Sequence, residues 1–221
     1  MVRIICILIG YACGLFQTSY IIGKFSHIDI RDYGSGNAGT TNALRTMGKA
    51  AGALTLLGDL LKPMAAYLIV YLLFHNQYSE MWKLLCMYAC AGAVFGHIFP
   101  VYLKFKGGKG IATISGLGII FGCWQIILSG IILFVVVTAL TKYVSLASIL
   151  MMVMFVVEVI IFGQAGYFKL LPPPYLYEWY GIVIVVSVVA IYKHKANIVR
   201  LIHHEENKLS FSKNKVKRQP E

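Results

Sequence analysis

Along this chain the apolar residues fall into long runs separated by short polar, glycine-containing segments. The runs cover Val2 to Ile22, Ala51 to Phe74, Leu84 to Phe99, Ile111 to Leu140, Ser145 to Phe162 and Trp179 to Ile191. Most lie near the roughly 20 residues a helix needs to cross the hydrocarbon layer. An unpaired amide in lipid is costly, so each run is predicted to be helical. The fourth is too long for one pass: as a single helix it would reach about 45 Å, against a layer of about 30 Å. Gly122, Cys123, Trp124 and Gln125 lie near its middle, and a small-residue turn beside an interfacial tryptophan is predicted to fold it into two. The expected fold class is all-α, a polytopic membrane helix bundle of seven transmembrane helices.

Composition agrees, since 58% of residues are apolar and only 13% charged, the balance of a chain solvated largely by lipid. Charge then orients the bundle. With seven spans, one side holds Lys24, Arg31, Arg45, Lys49, Lys104, Lys106, Lys109, Lys142 and the basic residues from Lys193 onward. The other side keeps Arg3, Lys83 and Lys169, and Lys62 lies within a span. Positive charge prefers the cytoplasm, which places the N-terminus outside and the C-terminus inside. A single unsplit fourth run would scatter this bias. The first run follows Arg3 but is long and lacks a small-residue cleavage site, so it is read as a retained span. Residues 1–209 are expected to form one membrane domain, and 210–221 a basic, disordered cytoplasmic tail.

Two polar loops carry candidate chemistry. The first runs from Asp29 to Asn42 and on to Arg45, with Gly34, Gly36 and Gly39 around Ser35 and Asn37, and Thr40 and Thr41 just after. Closely spaced glycines let successive backbone N–H groups converge on one anion, and a helix starting near Thr41 would add its N-terminal amides. Arg45, one turn in, suits an oxyanion. Gly34, Gly36 and Gly39 also spell a dinucleotide fingerprint with Asp59 downstream, but that motif needs a strand before it and a βαβ unit around it. The second loop reads Gly96-His97 through Pro100, Lys104 and Lys106 to Gly107-Gly108-Lys109-Gly110. Gly110 stands where a nucleotide-binding loop needs Ser or Thr, which argues against ATP. Three lysines, permissive backbone and a helix start near Ile111 leave a second anion site.

A third cluster opens the tail. If the last span continues as helix, His194, Asn197 and Leu201 share one face, and Lys193, Asn197 and Arg200 another. Within the membrane, Asp59 and Lys62 are three apart and are expected to pair, with Pro63 kinking the helix beside them. Cys86 and Cys90 share a helix face without a neighbouring ligand, so all five cysteines read as small packing residues, and no metal is expected.

Taken together, Asp29-Ile-Arg31 with Gly34-Ser-Gly-Asn-Ala-Gly-Thr-Thr-Asn42, Gly96-His97 through Lys104 and Gly107-Gly-Lys-Gly110, and His194, Asn197, Arg200 and Leu201 resemble the signatures of bacterial acyl-phosphate-dependent glycerol-3-phosphate acyltransferases. The resemblance spans nearly the whole chain. It implies transfer of an acyl group from acyl phosphate to the sn-1 hydroxyl of glycerol 3-phosphate, giving lysophosphatidic acid and phosphate, the first step of bacterial phospholipid synthesis. No cofactor is implied. The partners implied are the two substrates, membrane lipids and the soluble enzyme that supplies acyl phosphate, with no nucleic acid. The site would lie on the cytoplasmic side of the inner membrane. On this reading Ser35, Lys104, His194 and Asn197 are the catalytic candidates. Gly36, Asn37, Gly39, Thr41, Asn42, Arg45, Gly107, Gly108, Lys109, Gly110, Ser145 and Arg200 would bind substrate. His204 departs from the family, which commonly has glycine there. His27 and Asp32 match the His-x4-Asp spacing of other acyltransferases but lie outside these signatures. A transporter or channel for a small phosphorylated anion is the competing class, argued by Asp59, Lys62 and the broken fourth run, although no inverted repeat is evident.

Overall fold

The computed structural model describes residues 1–120, 122–168 and 172–209. Every regular element among them is helical. In chain order they are α1 (Val2–Gly14), α2 (Thr18–Phe25), α3 (Thr40–Met47), α4 (Lys49–Phe74), α5 (Trp82–Ile98), α6 (Ile111–Ile120), α7 (Trp124–Thr141), α8 (Val144–Gln164), α9 (Pro173–Tyr192) and α10 (Lys195–Ile202), with single 3₁₀ turns at Ile30–Asp32 and Val101–Leu103. Lys169 and the 210–221 tail, read above as an outer charge and a basic cytoplasmic end, lie outside the described residues.

Six stretches are long and apolar enough to cross a membrane: Val2–Phe25, Lys49–Phe74, Trp82–Leu103, Trp124–Thr141, Val144–Gln164 and Pro174–Tyr192. The expected division of the Ile111 to Leu140 run is present, with a turn at Gly122, whose φ of 66° suits glycine, and α7 starting at Trp124. The two halves are unequal. α6 has 10 residues, about 15 Å, which is half a hydrocarbon layer.

Two expected helices are broken instead. The first run splits at Leu15–Gln17 into α1 and α2. The Gln17 side chain is buried there and donates from Nε2 to the carbonyls of Gly14, Gly96 and His97, at 3.1 to 3.4 Å. It thereby pairs backbone oxygens that a low-dielectric interior would otherwise leave exposed. The last span does not run on into the tail: α9 stops at Tyr192, and α10 starts afresh at Lys195 after a turn.

The packing centre is the α1–α5 pair. A Cβ added to Gly10 would lie 1.7 Å from the Ala89 carbonyl oxygen, and one on Gly92 would lie 2.2 Å from that of Ile7. Gly14 and Gly96 meet through their Cα atoms in the same way. Two G-x3-G stripes thus interlock backbone to backbone, the means by which helices associate where lipid removes the hydrophobic drive. α5 is accordingly the most enclosed of the long apolar helices.

Long-range bonds define two ends of the bundle. At one end Arg3 pairs with Glu178 at 2.6 Å, and Tyr88 hydrogen-bonds to the same carboxylate. At the other, Arg31 donates to the Leu103 carbonyl, Lys109 to Asn197, and the Leu209 N–H to the Lys142 carbonyl at 2.8 Å. Residues 109 and 142 therefore both lie beside the C-terminal segment. The chain between them goes into the bundle along α6 and comes back along α7.

Candidate active site

The site is built at that second end. The 29–39 loop is held by Asn42, whose side chain is only 1% exposed. Its Nδ2 donates to the Ile30 carbonyl at 3.1 Å and the Tyr33 carbonyl at 3.0 Å, and its Oδ1 accepts from the Ser35 N–H at 2.9 Å. Asp29 caps the 3₁₀ turn and pairs with Arg31 at 2.6 Å, which holds its carboxyl below the usual range. Gly34 and Gly36 have φ of 61° and 67°, so the chain turns back on itself before Thr40 starts α3.

The second loop is buttressed from below. Lys62 Nζ donates to Asp59 Oδ1 at 2.6 Å and to His97 Nδ1 at 2.9 Å, and all three side chains are almost fully buried. The expected Asp59–Lys62 pair is therefore present, with His97 as a third member. An ammonium can only donate, so His97 accepts at Nδ1 and carries its proton on Nε2. Gly108 lies directly on that ring: a Cβ there would be 2.0 Å from Nε2, and one on Gly107 would be 2.0 Å from the His97 carbonyl oxygen. Both glycines pack against His97, and their N–H groups donate to the Ile98 and His97 carbonyls. They deliver Lys109 and Gly110 to the end of α6.

The third cluster closes the mouth. Lys109 donates to Asn197 Oδ1, Asn197 Nδ2 donates to Glu206 Oε1 at 2.8 Å, and Arg200 Nε donates to Glu206 Oε2 at 2.8 Å. Glu206 thus fixes which way the Asn197 amide faces. Burial lowers the Lys109 ammonium to about 8. Burial and the nearby Lys109 charge lower His194 to about 4, so His194 is neutral at pH 7. Its Nδ1 lies 2.8 Å from the Ala190 carbonyl, which can only accept. The proton is on Nδ1, and Nε2 presents a lone pair.

These groups surround one cavity of about 460 Å³. Its polar mouth is lined by Ser35, Asn37, Gly39, Thr40, Thr41, Asn42, Arg45, Lys109, Gly110, His194 and Asn197, with Asp59 and His97 on its floor side and Glu206 at the rim. Beyond Ser145 and Ser148 it continues as an apolar arm between α6, α7 and α8, past residues such as Ile114, Ile127, Phe134 and Phe155. The hydroxyls of Thr40 and Ser145 are buried, have no hydrogen-bond partner among the described residues and belong to this lining.

Among the expected site residues, Gly36, Lys104, Gly107, Gly108 and Arg200 are not in the lining. Lys104 is exposed, with a left-handed φ of 54°. Arg200 acts on Glu206. His27 is exposed and away from the cavity. Asp59 and His97 line the cavity without having been singled out as site residues. Lys62 and His97 are 35 positions apart, so no local spacing announces their contact. At His204, the position where glycine is usual, φ is 59°, a conformation glycine takes freely and histidine does not. No group of three or more metal-ligating side chains is found among the described residues.

Comparison with known proteins converges on one family. A family model described as glycerol-3-phosphate acyltransferase matches residues 4–204. The glycerol-3-phosphate acyltransferase of Alkaliphilus metalliredigens is 41% identical over 210 residues, covering 95% of this chain and 97% of that protein. That of Bacillus subtilis is 33% identical over 214 residues, covering 96% and 100%. The crystal structure of PlsY, an integral membrane glycerol 3-phosphate acyltransferase, in its glycerol 3-phosphate form superposes with a TM-score of 0.76 at 30% identity, covering 94% of this chain and 96% of PlsY. Its lysophosphatidic acid form gives 0.75 at 29% identity, with 94% and 95% covered. With a cavity whose mouth suits phosphate and whose arm suits lipid, and with relatives matching along nearly the full length, this multi-pass membrane chain belongs to the glycerol-3-phosphate acyltransferase family.

Proposed function

We propose that the cavity holds an acyl phosphate and glycerol 3-phosphate together, and that acyl transfer between them yields lysophosphatidic acid and inorganic phosphate. The carrying observation is the continuity of a cationic, donor-rich mouth with an apolar arm reaching into the bundle. An amphiphile with a phosphate at the end of an acyl chain fits that shape, and neither half alone would need it.

Acyl phosphate is a mixed anhydride with a good leaving group, so the glycerol hydroxyl oxygen attacks the carbonyl carbon without a protein nucleophile. Ser35, Asn37, Gly39, Thr41 and Arg45 hold one phosphate, with Gly36 shaping the loop. Lys109, Gly110, Ser145 and Lys104 hold the other; Lys104 swings in from the rim on its flexible stem. N–H and ammonium donors in this low-dielectric mouth stabilise the oxyanion formed on the carbonyl. The tetrahedral species then collapses, the bond to the phosphate oxygen breaks, and phosphate leaves with the electron pair. His194 Nε2 accepts the glycerol hydroxyl's hydrogen bond and Asn197 aligns it. A histidine at about 4 is a weaker base than a phosphate monoester, whose second pKa is about 6, so the proton ends on the leaving phosphate.

The reading extends to topology. α6, short of a full hydrocarbon layer, goes in as far as the turn at Gly122 and α7 returns; counted with the six long apolar stretches it makes the seventh segment, with the N-terminus outside and the basic end facing the cytoplasm of a bacterial inner membrane. Residues 1–209 act as one catalytic unit. Glycerol 3-phosphate enters from water, acyl phosphate enters sideways from the bilayer, and the soluble enzyme supplying acyl phosphate docks at the basic end. Purified protein given both substrates tests the proposal: phosphate release should require both. Flux of glycerol 3-phosphate into sealed vesicles without phosphate release would instead make the chain a transporter.

A further inference from the structure

The apolar arm contains one group that acyl transfer at the mouth does not use. Glu158, on α8, is in the cavity lining, and its Oε2 is buried without a hydrogen-bond partner among the described residues. Across the arm the Ser129 hydroxyl of α7 reaches both the Ile126 carbonyl and the Glu158 carboxyl, and its one proton serves one of them at a time. Oε2 therefore keeps an unmet demand for water or a donor in largely apolar surroundings.

Its depth is set by the helix that carries it. Ser145 and Glu158 line the same cavity from one helix, and the rise between them is roughly 20 Å at 1.5 Å per residue. The hydrocarbon layer is roughly 30 Å thick, so Glu158 lies just past its midplane, a level that only the terminal carbons of a long acyl chain reach when its phosphate is at the mouth. A shorter chain leaves the carboxyl its water. A longer one drives that water off and offers nothing in exchange, which disfavours it.

We propose that Glu158 is a specificity-determining residue, a polar stop at the far end of the acyl arm that sets the upper length of the chain this enzyme transfers. The inference rests on the proposed transfer from acyl phosphate. Its readout is a ratio between substrates, which general damage to the protein does not move. Purified wild type, E158L, E158M and E158Q are assayed for glycerol-3-phosphate-dependent phosphate release from lauroyl, myristoyl, palmitoyl and stearoyl phosphate. The two apolar variants should raise the stearoyl-to-lauroyl ratio of kcat/KM by about tenfold, and E158Q, which keeps a polar end, should stay within about twofold of wild type. Ratios unchanged in both apolar variants, at whatever overall rate, would overturn the assignment and leave the proposed function standing. A wild type that releases phosphate from none of the four would defeat the proposed function and this inference with it.

Discussion

In the first glycine-rich loop, Ser35, Asn37, Thr40, Thr41, Asn42 and Arg45 all belong to the cavity lining. In the second, Lys104 and Lys106 are exposed, and Gly107 and Gly108 are pressed against His97. Lys109 is the one lysine of that loop that reaches the cavity. The first loop is a surface of many donors held in shape by Asn42. The second is braced on Asp59, Lys62 and His97 and places one of its lysines, Lys109, in the cavity lining. The same glycine-rich composition therefore does two jobs, backbone turning in one case and backbone contact in the other.

That difference orders the expected effects. Because the second loop's charge is concentrated in Lys109, Lys109→Ala should lower kcat/KM on the order of 1,000-fold, the loss expected when a desolvated charge pair is truncated. Lys104→Ala, acting from the rim, should cost about tenfold. Equal losses in steady-state assays would abolish the distinction between buried and exposed lysines. In the first loop the vulnerable point is the tie rather than any one donor. Asn42→Ala should remove three hydrogen bonds, lower kcat/KM about 100-fold and destabilise the protein by about 3 kcal/mol. A thermal scan beside the assay checks both, and an unchanged Tm would show that the loop holds its shape without Asn42.

Acidity separates the loops next. Raising pH from 7 to 9 discharges Lys109, at about 8, whereas the Arg45 guanidinium keeps its charge. KM for the phosphate held by the second loop should rise about tenfold over that span, and Lys109→Arg should flatten the rise. The fold should not loosen meanwhile. Lys109 is depressed in the folded state, so between about 8 and its ordinary value near 10.4 the unfolded chain binds more protons, and this group's contribution to stability grows with pH. His194 adds the acid side. Its folded value near 4 lies below the ordinary 6.5, so its contribution falls as pH drops through that interval. The smallest effect belongs to a residue in neither site: His27→Ala should keep activity within about twofold, and a large loss would bring the His-x4-Asp spacing back into contention.

Much of this was legible in the chain. The helices follow from uninterrupted apolar runs, and the turn near Gly122 from a run too long for one pass. Both loops were visible because closely spaced glycines and basic residues come together there, in short polar segments between apolar runs. The G-x3-G pairs at Gly10, Gly14, Gly92 and Gly96 were also there to be read, as a signal for close helix approach. The breaks after Gly14 and Tyr192 were not. The first depends on Gln17 finding carbonyls on α5, about 80 positions away, and hydropathy carries no record of a partner so distant.

By itself the sequence determined what lipid and water each demand: where the chain must be helical, which end gathers positive charge, and which segments can wrap an anion. Those are local consequences of side-chain solvation and backbone freedom. Only the tertiary structure decided which of the basic residues line the cavity. Lys104 and Lys109 are alike as residues and five positions apart, yet one is exposed and the other is desolvated beside Asn197. The physical reason is that a charge acquires its acidity and its reach from what surrounds it. Here those surroundings come from α3, α6 and α10, which meet only when the bundle closes.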